Sequence, residues 1–170
     1  MNVSVSEQVE PFLKWAGGKR WFVPHAVSFV PAFEGTYFEP FLGSGAMFFH
    51  LQPAGAVLAD ANSELIGTYQ ALKDDWKKVV RRLGEHHRKH SKEYYYQVRA
   101  SRPWSEHGKA ARFIYLNRTC WNGLYRVNLK GEFNVPIGTK KNVIIDTDRF
   151  DLVSDLLQNV DLLSGDFADV

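Results

Sequence analysis

An arginine and an asparagine set four residues apart around a glycine turn are the residues of this chain best suited to reading a polymer. They lie in the run Asn117-Arg118-Thr119-Cys120-Trp121-Asn122-Gly123-Leu124-Tyr125-Arg126-Val127-Asn128, which continues through Lys130-Gly131-Glu132-Phe133-Asn134-Val135-Pro136-Ile137-Gly138. Asn122-Gly123 and Lys130-Gly131 are turn dipeptides flanked by short β-prone runs, a pattern that predicts a β-hairpin. Arg126 carries a planar fork of donors that matches guanine O6 and N7 in a DNA major groove. Asn122, at the turn tip, is compact and polar, suited to entering a duplex beside a displaced base. Leu124 and Pro136 offer apolar contact to a thymine methyl or a base edge. Asn117, Arg118 and Asn128 complete the set of candidate DNA contacts. The plainer reading is an ordinary surface hairpin.

A second group of residues suits a small anionic ligand. Phe12-Leu13-Lys14-Trp15-Ala16-Gly17-Gly18-Lys19 places two glycines beside a lysine, which allows close backbone approach to an anionic end. It is not a P-loop, because the G-x-x-x-x-G-K-[ST] spacing is absent and Arg20 follows the lysine. Glu39-Pro40-Phe41-Leu42-Gly43-Ser44-Gly45 puts two more glycines in a strand-to-helix loop, where a helix N-terminus favours a carboxylate. Asp60 ends the next strand and can accept two hydroxyl donors at once; the plainer alternative is a helix N-cap, for which Asn62 and Ser63 are better placed. Asp166 stands in Ser164-Gly165-Asp166-Phe167, either a ligand contact or a turn acid. His86 and His90 have metal-ligand spacing, but no nearby carboxylate or thiolate completes a plausible set; a solvated or phosphate-facing loop and no metal are expected. Cys120 reads as a small semi-buried residue, not a nucleophile.

The elements that must position these residues are α/β in order. Residues 36–39 and 56–59 predict short strands, and residues 46–51 a helix between them. Asn62 or Ser63 caps the next helix, with Leu65, Ile66, Tyr69 and Leu72 at helical spacing. That helix is expected to continue to residue 83, with a polar break over residues 84–91. Helices over 92–100 and 109–116 lead into the hairpin. A helix over 148–157 and a strand over 160–163 return to the core. The strand–loop–helix–strand–acid order is a nucleotide-binding pattern. It divides the chain into an α/β core, residues 1–72 and 142–170, and an inserted, mostly helical lobe, residues 73–141.

Charge follows the same division. The 170 residues carry a net charge of only +2, yet residues 73–141 hold 17 Lys/Arg against 6 Asp/Glu. Residues 146–170 hold seven Asp and one Arg. A basic segment that also bears the hairpin and many aromatics marks double-stranded DNA as the partner; a solvated helical face is the plainer alternative. With 45% hydrophobic residues the chain can build a core. No apolar run approaches the ~18 residues of a membrane span, no signal peptide is visible, and the single cysteine excludes an internal disulfide. A cytoplasmic protein is expected, with no membrane partner.

The three segments together resemble the DNA adenine methylase (Dam) family, over residues 12–170. The resemblance implies an S-adenosylmethionine (AdoMet)-binding Rossmann-like sheet, here incomplete, with the DNA-recognition lobe inserted. It implies transfer of methyl from AdoMet to the exocyclic amine of an adenine flipped out of a guanine-adenine-thymine-cytosine palindrome or a related site. Trp15, Lys19, Glu39, Pro40, Phe41, Gly43, Gly45, Asp60 and Asp166 then become the cofactor residues, with Asp60 on the ribose and Asp166 near the adenine. The family also carries an Asp-Pro-Pro-Tyr or Asp-Pro-Pro-Phe motif that holds the adenine amine and stacks on the flipped base. No Asp-Pro-Pro occurs in these 170 residues. The expectation is therefore a chain with no catalytic residues of its own, which is a fragment or one half of a split enzyme completed by a C-terminal portion or a second chain. The competing expectation is a truncated, non-catalytic DNA-binding protein that occupies methylation sites.

Overall fold

The structure is a computed structural model that describes residues 7–18 and 21–169. Three short strands form its sheet: β1 (Tyr37–Glu39), β2 (Ala56–Asp60) and β3 (Val160–Ser164). All pair in parallel, in the order β1-β2-β3, with Tyr37 opposite Ala56 and Ala56 opposite Val160. Parallel pairing collects the C-terminal ends of the strands on one edge. Asp60 therefore sits opposite Ser164, and Glu39 opposite Leu58 two residues before it, at the edge where open α/β sheets bind their ligands.

Helices account for the rest of the core. After a one-turn helix α1 (Val23–Ala26), α2 (Ala46–Leu51) connects β1 to β2 and buries Phe48 and Phe49. Helix α3 (Ser63–Lys89) starts at Asn62, whose side chain accepts from the Leu65 amide at 3.0 Å. Ser91 and Ser105 cap α4 (Lys92–Ala100) and α5 (Glu106–Thr119) in the same way. Glu64, Glu93 and Glu106 add acidic charge to the three first turns, matching the helix dipole. Helix α6 (Phe150–Leu157) leads into β3. One contiguous hydrophobic cluster runs from Phe48 and Leu58 in the sheet region through Leu72 and Val79 of α3 to Tyr95, Ile114 and Tyr115 of α4 and α5.

Two expectations change. Residues 84–89 are helical, and Gly84 does not break α3. A single glycine costs about 1 kcal/mol in a helix, and here the following turn is anchored: His86 Nδ1 lies 2.9 Å from the Tyr94 hydroxyl, and His90 Nδ1 2.9 Å from the Tyr115 hydroxyl. The histidines thus clamp α3 to α4 and α5 instead of forming a polar loop. The line drawn at residue 72 consequently falls inside α3; the helix is interrupted only at Asp75, with φ −160° and ψ 80°.

The second change concerns residues 120–137. They form no strands; the segment is a loop pinned by two isolated antiparallel bridges, Cys120 with Ile137 and Val127 with Phe133. Both turns form as read. Asn122 and Gly123 adopt φ 54° and 65°, the left-handed pair that an Asn-Gly turn supplies, and Gly131 has φ 73°. No helix of the described residues is long and apolar enough to cross a membrane.

Candidate functional site

The loop after β1 folds back onto the end of β2. The Leu42 amide donates to the Ala59 carbonyl at 2.8 Å, and the Gly43 amide donates to Asp60 Oδ2 at 3.0 Å. Asp60 Oδ1 accepts from the Asn62 amide at 2.9 Å. Each carboxylate oxygen thus holds one backbone donor and keeps a second lone pair. Gly43 and Gly45 have φ 51° and 66°, and neither site has room for a side chain. A Cβ on Gly43 would lie 2.8 Å from Trp15 Cδ1, and one on Gly45 would lie 3.0 Å from the Phe49 ring and 3.1 Å from the Tyr69 hydroxyl. Gly45 is also the N-cap of α2, with no side-chain cap.

A cleft of about 400 Å³ opens beside this loop, lined by Trp15, Ala16, Gly17, Glu39, Phe41, Leu42, Gly43, Met47 and Asp60. Sequence reasoning named Trp15, Glu39, Phe41, Gly43 and Asp60 among these, and they converge. Pro40 ends β1 at the rim, half-buried. Lys19 lies outside the described residues. Asp166 does not line the cleft; it is exposed, and its Oδ1 accepts from the Ala168 amide at 2.9 Å, a turn role. Its neighbour Phe167 was not foreseen. The Phe167 ring meets Phe41 with centroids 5.4 Å apart, extending the apolar rim. Nothing short of the strand pairing could have placed Phe167 next to Phe41. Met47, one residue into α2, was missed for the same reason.

The second candidate region divides into exposed side chains and scaffold. Asn122, Arg126 and Pro136 are exposed. Arg126 Nε donates to Asn134 Oδ1 at 2.8 Å, which fixes the plane of the fork; its two Nη groups make no hydrogen bond among the described residues. Leu124 is half-buried and packs against the core.

Asn117 and Arg118 are not surface contacts, as corrected by their burial at 1% and 6% exposure. They sit on α5, which is enclosed by α3, α4 and the loops, so its polar side chains turn inward and must be satisfied there. Asn117 accepts from the Lys14 amide at 2.9 Å and donates to the Lys14 carbonyl at 2.7 Å. Arg118 pairs with both oxygens of Asp148, at 2.7 and 2.6 Å, and donates to the carbonyls of Phe12 and Val143. Together they hold residues 12–14, and so set the position of Trp15. Asn128 is likewise a turn residue: its side chain accepts from the amides of Lys130 and Glu132 and donates to the Glu132 carboxylate.

Beside the Lys130-Gly131 turn lies a groove of about 470 Å³ whose lining includes Arg99, Arg102, Lys109, Arg112 and Lys130. Cys120 is buried, and burial pushes its thiol up to about 11, so it stays protonated and inert. No group of three metal-ligating side chains exists among the described residues.

The family model described as "D12 class N6 adenine-specific DNA methyltransferase" matches residues 15–170. The type II methyltransferase M1.LlaDCHI of Lactococcus lactis subsp. cremoris is 44% identical over 168 residues, covering 94% of this chain and 59% of the relative. The type II methyltransferase M.MjaIII of Methanocaldococcus jannaschii is 40% identical over 182 residues, covering 94% of this chain and 63% of the relative. The DNA adenine methylase of Escherichia coli K12 is 39% identical over 135 residues, covering 76% of this chain and 48% of the relative. The chain thus spans roughly half to three fifths of the length of these relatives. The family match takes in the loop after β1, Asp60 and the whole of the Arg126 loop, and by it the chain belongs to the D12 class of N6 adenine-specific DNA methyltransferases.

Proposed function

We propose that these residues form the cofactor-binding and target-reading part of an enzyme that methylates adenine N6 in double-stranded DNA, with AdoMet as donor. The observation that carries this reading is the convergence of Asp60, the Gly43 loop and Trp15 on one cleft at the C-terminal edge of a parallel sheet. The residues present fit AdoMet. The remaining lone pairs of Asp60 suit two ribose hydroxyls. The left-handed glycine loop allows close backbone approach, Phe41 with Phe167 offers an apolar wall for the adenine, and Glu39 serves the charged methionine end. AdoMet, when bound, supplies an electrophilic methyl group. The chain's own part is to orient the donor and to bring the target adenine to it, and positioning supplies much of the rate in such a transfer.

Arg126 is the proposed reader of guanine, with its fork pre-set by Asn134. Asn122, Leu124 and Pro136 are the proposed neighbours of the displaced base, and the basic groove is a path for phosphates. Residues 73–141 are the proposed recognition lobe on the α/β core. The groups that hold the adenine amine are proposed to come from outside these 170 residues, which contain no Asp-Pro-Pro run. Calorimetric titration with AdoMet tests the cleft. Binding by the wild-type chain and its loss by a factor of ten or more in Asp60→Ala supports the reading; equal binding by both rejects it.

A further inference from the structure

The cleft and the Arg126 loop share a wall. Trp15 lines the cleft on one side. On the other its indole stacks on the Tyr125 ring, with centroids 5.5 Å apart and planes 26° apart. Phe113 backs both rings, at 6.1 Å from Trp15 and 5.1 Å from Tyr125. Tyr125 immediately precedes Arg126, and its hydroxyl donates to Glu64 Oε2. Glu64 lies in the first turn of α3, two residues after Asn62, whose amide donates to Asp60. The contacts close a circuit: Asp60, Gly43, Trp15, Tyr125, Glu64, Asn62 and back to Asp60.

We propose that Tyr125 is a positioning residue that couples occupancy of the cleft to the placement of Arg126, with Glu64 as its anchor. The proposal rests on the function proposed above. Trp15 has little freedom, because its Cδ1 abuts Gly43 so closely that a Cβ there would stand 2.8 Å away. A ligand that presses on the indole therefore shifts its stacking partner, and Tyr125 carries Arg126 with it through one peptide unit. The Glu64 contact gives Tyr125 a fixed end on the element that follows Asp60. Burial, with Glu64 beside it, holds the Tyr125 phenol well above the usual range, so the hydroxyl remains a donor across physiological pH. By linkage, ligand in the cleft sharpens DNA reading by the same factor by which the matched duplex, relative to the one with its guanine replaced, tightens the ligand.

The test uses sinefungin, a non-reactive AdoMet analogue, and fluorescence anisotropy on two duplexes: the guanine-adenine-thymine-cytosine palindrome and one with that guanine replaced. In the wild-type chain, saturating sinefungin is expected to raise the preference for the matched duplex by about fivefold or more. Tyr125→Phe, which keeps the stacking ring and loses the hydroxyl, is expected to lower that factor at least threefold. Its affinities for sinefungin alone and for matched duplex alone should stay within twofold of wild type, a pattern that a merely structural role does not produce. Tyr125→Leu should abolish the coupling. Full coupling in both variants overturns the proposal. Independent binding of sinefungin and matched duplex by the wild type overturns it too, and leaves the proposed function intact. A wild-type chain that binds no sinefungin, or binds all duplexes alike, overturns both.

Discussion

Two arginines eight residues apart show how little residue type says about role. Arg118 is 6% exposed and locked to Asp148; Arg126 is exposed with its fork half free. Arg118→Ala leaves Asp148 buried without its partner, and a cost of about 3–5 kcal/mol in chemical denaturation is expected. Arg126→Ala is expected to change stability by no more than about 0.5 kcal/mol. A similar loss of stability in both variants would contradict the division. The exposure of Arg126 was legible because an arginine beside an Asn-Gly turn needs only local chemistry to place it at the surface. Asn117 and Arg118 were misread because the sequence does not say that the C-terminal half of α5, from Phe113 to Thr119, is buried throughout. Gly43 is a further residue whose type is dictated locally: Gly43→Ala forces a Cβ into Trp15 at φ 51°. Backbone strain of about 1–2 kcal/mol is expected, together with weaker AdoMet binding as the indole is displaced. Unchanged AdoMet affinity would show that Trp15 does not shape the cleft.

Among the elements, α3 departs most from its sequence pattern. Its last two turns follow a glycine and are rich in histidine and basic residues, yet they hold their helical form through contacts with Tyr94 and Tyr115. Those partners are 8 and 25 residues from His86 and His90, respectively, so no local window reveals them. Burial, the largest cause, lowers His86 to about 4 from its ordinary 6.5. The folded state therefore resists a proton that the unfolded chain accepts between those values. Stability from this group is complete above about pH 6.5, is lost as pH falls toward 4, and is flat below that. Denaturation midpoints at a series of pH values should show this loss, and His86→Gln should flatten the profile over that window. An unchanged profile would mean that His86 titrates as a solvated residue. The capped start of α3 was readable because Asn62 acts on an amide three residues away; the Ser91 cap of α4 was not read, and α5, expected from residue 109, begins at Glu106 behind Ser105. The strands expected around Arg126 do not form; the segment keeps only two isolated bridges, Cys120 with Ile137 and Val127 with Phe133, over the buried Phe133 and Val135.

At the scale of the molecule, the parallel sheet brings Glu39, Asp60 and the Phe167 segment to one edge, and α5 ties residues 12–14 to the Arg126 loop. The α/β class could be anticipated from the alternation of strand and helix, whereas the Trp15–Tyr125 stack, 110 residues apart in sequence, could not. Charge is distributed to match: the segment with 17 Lys/Arg and 6 Asp/Glu carries the reading loop and the basic groove, and the last 25 residues are acidic. Two energy terms follow for DNA. On the proposed reading, phosphate contacts would act on every sequence and weaken with salt, and an Arg126 contact would distinguish one base and depend less on salt. The most direct measurement is therefore duplex binding by the wild-type chain and Arg126→Ala at two salt concentrations, on the matched palindrome and on the duplex with its guanine replaced. The account predicts that salt weakens wild-type binding to both duplexes, that the wild type prefers the matched one, and that Arg126→Ala loses about 1–3 kcal/mol of that preference. Equal affinity of the wild-type chain for both duplexes, or a preference that survives in Arg126→Ala, would contradict it.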